Sequence, residues 1–254
     1  IFYWEYFHRM LARLIGIFFL LPLIFFYFTK KINNQYMNTC LIIFFLILFQ
    51  GIIGWFMVRS GLVNDVTVSH YRLSIHLSVA FIIISIIFWL IINIIMKKNK
   101  TFFVFSKENL PFLILICLIY FQIIFGAFVS GLDAGNVYQT WPKMGLTFFP
   151  DDIIIKNINN FFNFNSHSLV QFYHRNLAYL IILYILLLSF YIYKKKFKDL
   201  YQPLKLFIFF LFLQILLGIF TLVSGLNIYL ASAHQISSVV LVFSAINLYY
   251  FKAK

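Results

Sequence analysis

Charge is scarce in this chain: 11% of its 254 residues are Asp, Glu, Lys or Arg, and only seven of these are acids. Against 63% hydrophobic side chains, so few charges could not clothe a soluble surface. An ordinary globular core is excluded, and an integral membrane protein is what remains. Cysteine is almost missing. Cys40 and Cys117 fall at or within apolar runs, where no oxidising compartment would favour a disulfide, and no CxxC or zinc spacing exists. Short alternating segments are lacking too, and with them the signature of a membrane β-barrel. The middles of the apolar runs hold mostly Ile, Leu and Phe, which argues against a transporter with polar groups at the bilayer midplane.

What is present is apolar length. The runs His8 to Phe28, Thr39 to Val58, Ser74 to Met96, Leu110 to Val129, His174 to Tyr193, Leu204 to Leu222 and Ala233 to Phe251 each approach the ~20 residues that cross a hydrocarbon core of ~30 Å. The expected fold is therefore all-α and integral to the membrane, with seven transmembrane helices. The net charge of +13 is sorted by side. Lysines gather at Lys30-Lys31, at Lys97-Lys98-Asn99-Lys100 with Lys107, at Lys194-Lys195-Lys196 and Lys198 with Lys205, and at Lys252 and Lys254. The intervening loops carry Asp65, Asp133, Asp151 and Asp152, with Lys143 and Lys156 as their lysines. By the positive-inside rule the C-terminus is cytoplasmic and the start of this chain lies outside. The basic surplus is a topology signal on a lipid bilayer, and no nucleic acid is expected as a partner. Arg9, Arg13, Arg59, Arg72 and Arg175 all map to the outer half. Their planar guanidinium suits an anionic ligand better than lysine would.

The chain repeats itself. Glu5-Tyr6-Phe7-His8-Arg9 returns as Gln171-Phe172-Tyr173-His174-Arg175. One span later, Gln50-x-x-x-Gly54 leads to Ser60-Gly61-Leu62, and Gln214-x-x-x-Gly218 leads to Ser224-Gly225-Leu226. One span later again stand His76 and His234, each two residues after a serine. The fourth span adds a further Gln122-x-x-x-Gly126 ending in Ser130-Gly131-Leu132. Three helices thus form a first unit, residues 1–100, and four a second, residues 101–254. A complete version is expected to have eight helices in two pseudo-symmetric four-helix bundles. The long outer loop from Asp133 to Phe172 reads as functional by its length, and its Asn-rich part, Asn157 to Asn165, as a flexible link.

Four of the six histidines, His8, His76, His174 and His234, fall at the outer ends of inward-running helices, two per unit. Paired imidazoles on facing helices suit axial ligation of a haem iron, whereas zinc would want three or four ligands at one point. His70 and His167 lack counterparts and read as exposed loop residues. Arg9, Arg72 and Arg175 are the candidates to meet haem propionates, with Arg59 an interfacial anchor. Glu5 lies three residues before His8, on the same helical face, while its counterpart Gln171 cannot take a proton. The unit with the acid is expected to be reactive and the other to carry electrons.

Together Glu5-x-x-His8-Arg9, Gly126 to Gly135 with Trp141-Pro142-x-Met144-Gly145, Phe172-Tyr173-His174-Arg175 and Ala231-Ser232-Ala233-His234-Gln235 resemble the haem A synthase family, over essentially the whole chain. The resemblance implies oxidation of a haem O methyl to the formyl of haem A by successive hydroxylations, for terminal oxidases. It implies that His8 and His76 flank the substrate haem in residues 1–100 with Glu5 catalytic, and that His174 and His234 ligate haem B in residues 101–254. The implied partners are a haem O synthase, an electron donor such as a quinol, and further copies of the chain in a homo-oligomer. The resemblance also implies a bacterial inner membrane, with haem sites near the periplasmic face. The competing reading is a dihaem bis-histidine cytochrome that only transfers electrons and would not need Glu5.

Overall fold

A backbone in lipid must satisfy its own hydrogen bonds, so each apolar run closes into a helix rather than waiting for a partner strand. The computed structural model describes residues 2–61, 68–153 and 157–253. Leu62, Asp65, Lys156 and Lys254 lie outside the described residues, as do the side chains of Ser60 and Gly61. The long helices are α1 (Phe2–Thr29), α2 (Asn34–Gly61), α3 (His70–Ile95), α4 (Leu110–Gly131), α5 (His167–Lys194), α6 (Tyr201–Val223) and α7 (Ile228–Lys252). Among the described residues these seven are long and apolar enough to cross a membrane.

The helices outrun the hydrophobic stretches that announce them. α5 starts at His167 rather than His174, and α7 at Ile228 rather than Ala233. The added turns are polar and capped: the Ser166 hydroxyl accepts from the Leu169 amide, and the Asn227 carboxamide oxygen accepts from the amides of Tyr229 and Leu230. As a consequence His8, His76, His174 and His234 stand about two turns inside their helices and not at the first residue.

By contacts the chain divides into two compact units, Ile1–Val68 with Val79–Lys98, and Ser69–Ser78 with Asn99–Lys254. The change near residues 98 and 99 falls close to the boundary drawn from the sequence, but the opening of α3, which carries His70 and His76, groups with the second unit.

In the first unit Ile43, Val79 and Ile83 form a buried centre, flanked by Phe19 of α1, Leu46 and Ile47 of α2, and Ile86, Ile87 and Leu90 of α3. Large apolar side chains such as Phe18, Phe28 and Phe45 stay exposed. In a bilayer this is no penalty, because lipid tails are as apolar as the side chains they meet.

In the second unit α4 packs along α5 and α6 along α7, with further contacts between α4 and α7 and between α5 and α6. Each of the four helices therefore touches two others. The C-terminal end of α7 is tied to the segment before α4. Lys100 donates to the carbonyls of Tyr250 and Ala253, Tyr249 donates to the carbonyl of Phe102 (2.6 Å), and Lys252 pairs with Glu108.

Candidate functional site

The site is clearest in the second unit, where two glutamine-to-glycine turns each seat one histidine. On α4, Gln122 Nε2 donates to the backbone carbonyl of His174 on α5 (3.0 Å) and lies 3.2 Å from the ring Nδ1. One turn on, a Cβ built at Gly126 would stand 3.2 Å from Cε1 of His174. On α6, Gln214 Nε2 donates to the backbone carbonyl of His234 on α7 (3.0 Å), and a Cβ at Gly218 would stand 2.9 Å from Cε1 of His234. The i, i+4 spacing explains itself: glutamine and glycine share one helix face, the first gripping the neighbour's backbone and the second leaving room for its ring. The third copy, Gln50 to Gly54, lies on α2 in the first unit.

The two seats differ in how many bonds hold them. His234 Nδ1–H donates to the backbone carbonyl of Gln214 (3.1 Å), which leaves the lone pair on Nε2. Ser237 orients the clamp by donating to Gln214 Oε1, whereas at the other seat Gln122 Oε1 is buried and accepts no hydrogen bond. His174 and His234 are half-buried and lie within electrostatic reach of each other.

Beside His174, Arg175 turns to the long loop between α4 and α5. Its guanidinium donates to the carbonyls of Thr140 (2.8 Å), Lys143 (3.2 Å) and Tyr138 (2.8 Å), and Gln171 also donates to the Tyr138 carbonyl (2.9 Å). The Nε of Arg175 is buried without a hydrogen bond. Farther out the Tyr138 hydroxyl donates to Asp151 and to Asp152 (2.9 Å), and burial together with these bonds pushes its pKa up. Between loop and helix runs a cleft of about 250 Å³, lined by Pro142, Met144, Phe149, Phe172, Arg175 and Tyr179 among others.

Two expectations change. His70, read as an exposed loop residue, is buried as the first residue of α3. A Cβ at Gly131 would lie 2.8 Å from His70 Cβ, so the glycine of the Ser-Gly-Leu ending of α4 is what lets the opening of α3 approach. Aromatic rings of Tyr71 and Phe128 enclose it, at 4.1 and 5.3 Å between centroids. In the Ser-Gly-Leu ending of α6, Gly225 instead takes a left-handed φ of 71° and turns the chain. The Asn-rich stretch, read as a loose link, is seated as well: residues Ile158–Phe162 form a 3-10 turn, Tyr173 donates to the Phe161 carbonyl (2.6 Å), and Phe164 packs on Phe125 and Phe128. His167 is exposed, as expected.

In the first unit Glu5 and His8 are exposed on α1, and Arg9 Nη2 lies 3.3 Å from Glu5 Oε2, one turn back. Arg59 stacks over Trp55 at 5.0 Å, the arrangement of an anchor. His8 and His76 fall in different units, so the paired seats described above are those of His174 and His234.

The second-unit residues fit a haem. A porphyrin supplies four of the iron's donors and asks the protein for two, and among the described residues no three His, Cys, Asp or Glu converge as a metal cage. Two imidazoles, each facing a glycine that leaves ring space, meet that demand, and the buried Nε of Arg175 is a donor suited to a carboxylate.

Comparison with known proteins finds similarity over nearly the whole chain. The family described as "Cytochrome oxidase assembly protein" matches residues 1–246. A protein named "Heme A synthase" from Pelagibacter ubique is 45% identical over 244 residues, 96% of this chain and 71% of the relative. Proteins of the same name from Flavobacterium psychrophilum and Rickettsia africae are 37% and 36% identical over 245 residues each, covering 95% and 93% of this chain and 71% of each relative.

Proposed function

On the premise that this chain belongs to the haem A synthase family of cytochrome oxidase assembly proteins, we propose that it converts a methyl group of haem O into the formyl group of haem A. The carbon loses four electrons in two successive hydroxylations, each requiring an oxidant of the oxygen-atom-donating class, and the geminal diol then loses water to give the aldehyde. The named relatives favour this over a dihaem cytochrome that only transfers electrons.

The observation that carries the reading is the paired seat for His174 and His234 in a chain that matches this family almost end to end. His174 and His234 would hold haem B, which when bound would supply one-electron redox capacity. The glycines leave the rings room, the glutamines hold the helix turns that carry them, and Arg175 offers its free Nε to a propionate. His8 and His76 are assigned to the substrate haem O, with Arg9 and Arg72 toward its propionates. Glu5 serves as proton acceptor or as stabiliser of positive charge developing near the methyl carbon. Its ion pair with Arg9 is exposed and weak, so both side chains can be redirected to substrate.

The setting is a multi-pass protein of a bacterial inner membrane. Haem sites toward the periplasmic face and a cytoplasmic C-terminus follow from the lysine distribution. A haem O synthase upstream, a quinol-class electron donor and assembly into homo-oligomers complete the proposal. Extraction of pigments from purified protein tests it: haem B should be present in the resting protein, with haem A appearing when haem O is supplied. A preparation without a Soret band would remove every haem-based reading.

A further inference from the structure

Each of these two histidines is held at its backbone by a glutamine from the neighbouring helix, which an ordinary packing contact does not require. A transmembrane helix already satisfies the carbonyl of His174 or His234 through its own i→i+4 bond, so the extra donor from Gln122 or Gln214 is an addition. Carrying a carboxamide into an apolar span is costly, and here the two carboxamides occupy equivalent places one turn from a glycine that faces the imidazole. We propose that Gln122 and Gln214 are positioning residues that fix the rotation of the ligand helices and thereby the planes of the two haem-binding imidazoles.

The two clamps act unequally. At the α6–α7 seat the restraint has three parts: the carboxamide on the His234 carbonyl, the Ser237 hydroxyl on the carboxamide oxygen (Ser237 also donates to the His234 carbonyl, 3.0 Å), and the Gln214 backbone carbonyl on Nδ1–H. The last of these fixes the tautomer that presents Nε2 and raises the basicity of the ring, as outer-shell acceptors do for metal-bound histidines. At the α4–α5 seat only the carboxamide is engaged, and its oxygen has no partner. His234 is therefore the fixed ligand and His174 the adjustable one.

This inference rests on the assignment of haem B to His174 and His234, and the experiment separates the two. Full-length protein is purified in detergent with Gln214→Met, which keeps the volume and removes the donor, and with Ser237→Ala, which removes only the hydroxyl that orients the carboxamide. Haem B content, the low-spin ferric electron paramagnetic resonance spectrum and the midpoint potential are measured on each. Expected are a loss of haem B affinity on the order of 10-fold in Gln214→Met, a shift of the largest g value, and a smaller shift in the same direction in Ser237→Ala. Gln122→Met should lower haem B content while moving the spectrum less. If Gln214→Met fails to fold, Ser237→Ala decides by itself. Wild-type affinity, spectrum and potential in the folded variants overturn the positioning role while leaving the ligands standing. Unchanged haem B in His174→Ala or His234→Ala overturns both.

Discussion

The motif Glu5-x-x-His8-Arg9 and its echo Gln171-x-x-His174-Arg175 share a helix face and spacing, yet their side chains have opposite fates. On α1 the arginine folds back on the acid of its own helix at 3.3 Å, and both stay about half exposed. On α5 the amide is buried at 2% exposure, and amide and arginine reach away together to the outer loop, meeting at the carbonyl of Tyr138. Exchange of one atom, carboxylate oxygen for amide nitrogen, changes the side chain from an acceptor that captures its arginine into a donor that leaves it free. The copy with the acid keeps its carboxylate exposed, and the copy with the amide is bonded to the loop.

The sharpest way to break this comparison is to exchange the distinguishing atom. Glu5→Gln should retain haem within about twofold while haem A output falls by about 100-fold or more, the range expected when a positioned proton acceptor is lost. Product analysis by pigment extraction reads it: unchanged conversion would remove Glu5 from the catalytic role, whereas no haem A from the wild-type chain would return it to the electron-carrier reading. Next comes the ligand itself. His234→Ala should lower bound haem B at least 10-fold, since even outer-shell partners of metal ligands are worth that much, and the Soret absorbance per protein measures it.

The arginines should differ in the opposite sense, with stability in place of activity. Arg175→Ala removes donors to three loop carbonyls and should cost about 2 kcal/mol or more, given the usual strength of hydrogen bonds from a charged group. Limited proteolysis between residues 138 and 149 and the thermal midpoint in detergent report it. Arg9→Ala removes an exposed i, i+4 pair and should change the midpoint by no more than about 1 kcal/mol's worth. Equal effects would mean that the two copies are not in different environments.

The smallest effect concerns the same loop and pH. Burial and the hydrogen bonds to Asp151 and Asp152 hold the Tyr138 pKa above its ordinary value in the folded chain. A folded value above the unfolded one gives stabilisation that is complete below the unfolded pKa of about 10 and lost as pH rises through the folded value. Loop protection against protease should thus be level up to about pH 10 and decline above it, and Tyr138→Phe should flatten that decline.

The sequence by itself determined the seven helices, their approximate spans and the four histidines of interest. It could do so because a helix in lipid is a local object: it closes its own hydrogen bonds, and about 20 apolar residues are both necessary and visible. The repeat of Gln-x-x-x-Gly was visible as spacing too. What that spacing accomplishes was not. These helices are apolar all round, so no hydrophobic stripe announces which face turns inward. Only packing decided that Gln122 meets His174 and Gln214 meets His234, that Gly131 admits a buried His70, and that Arg175 grips the outer loop. Those pairings depend on the rotation and depth of one helix against another, which residues far apart in sequence set together and no single span encodes.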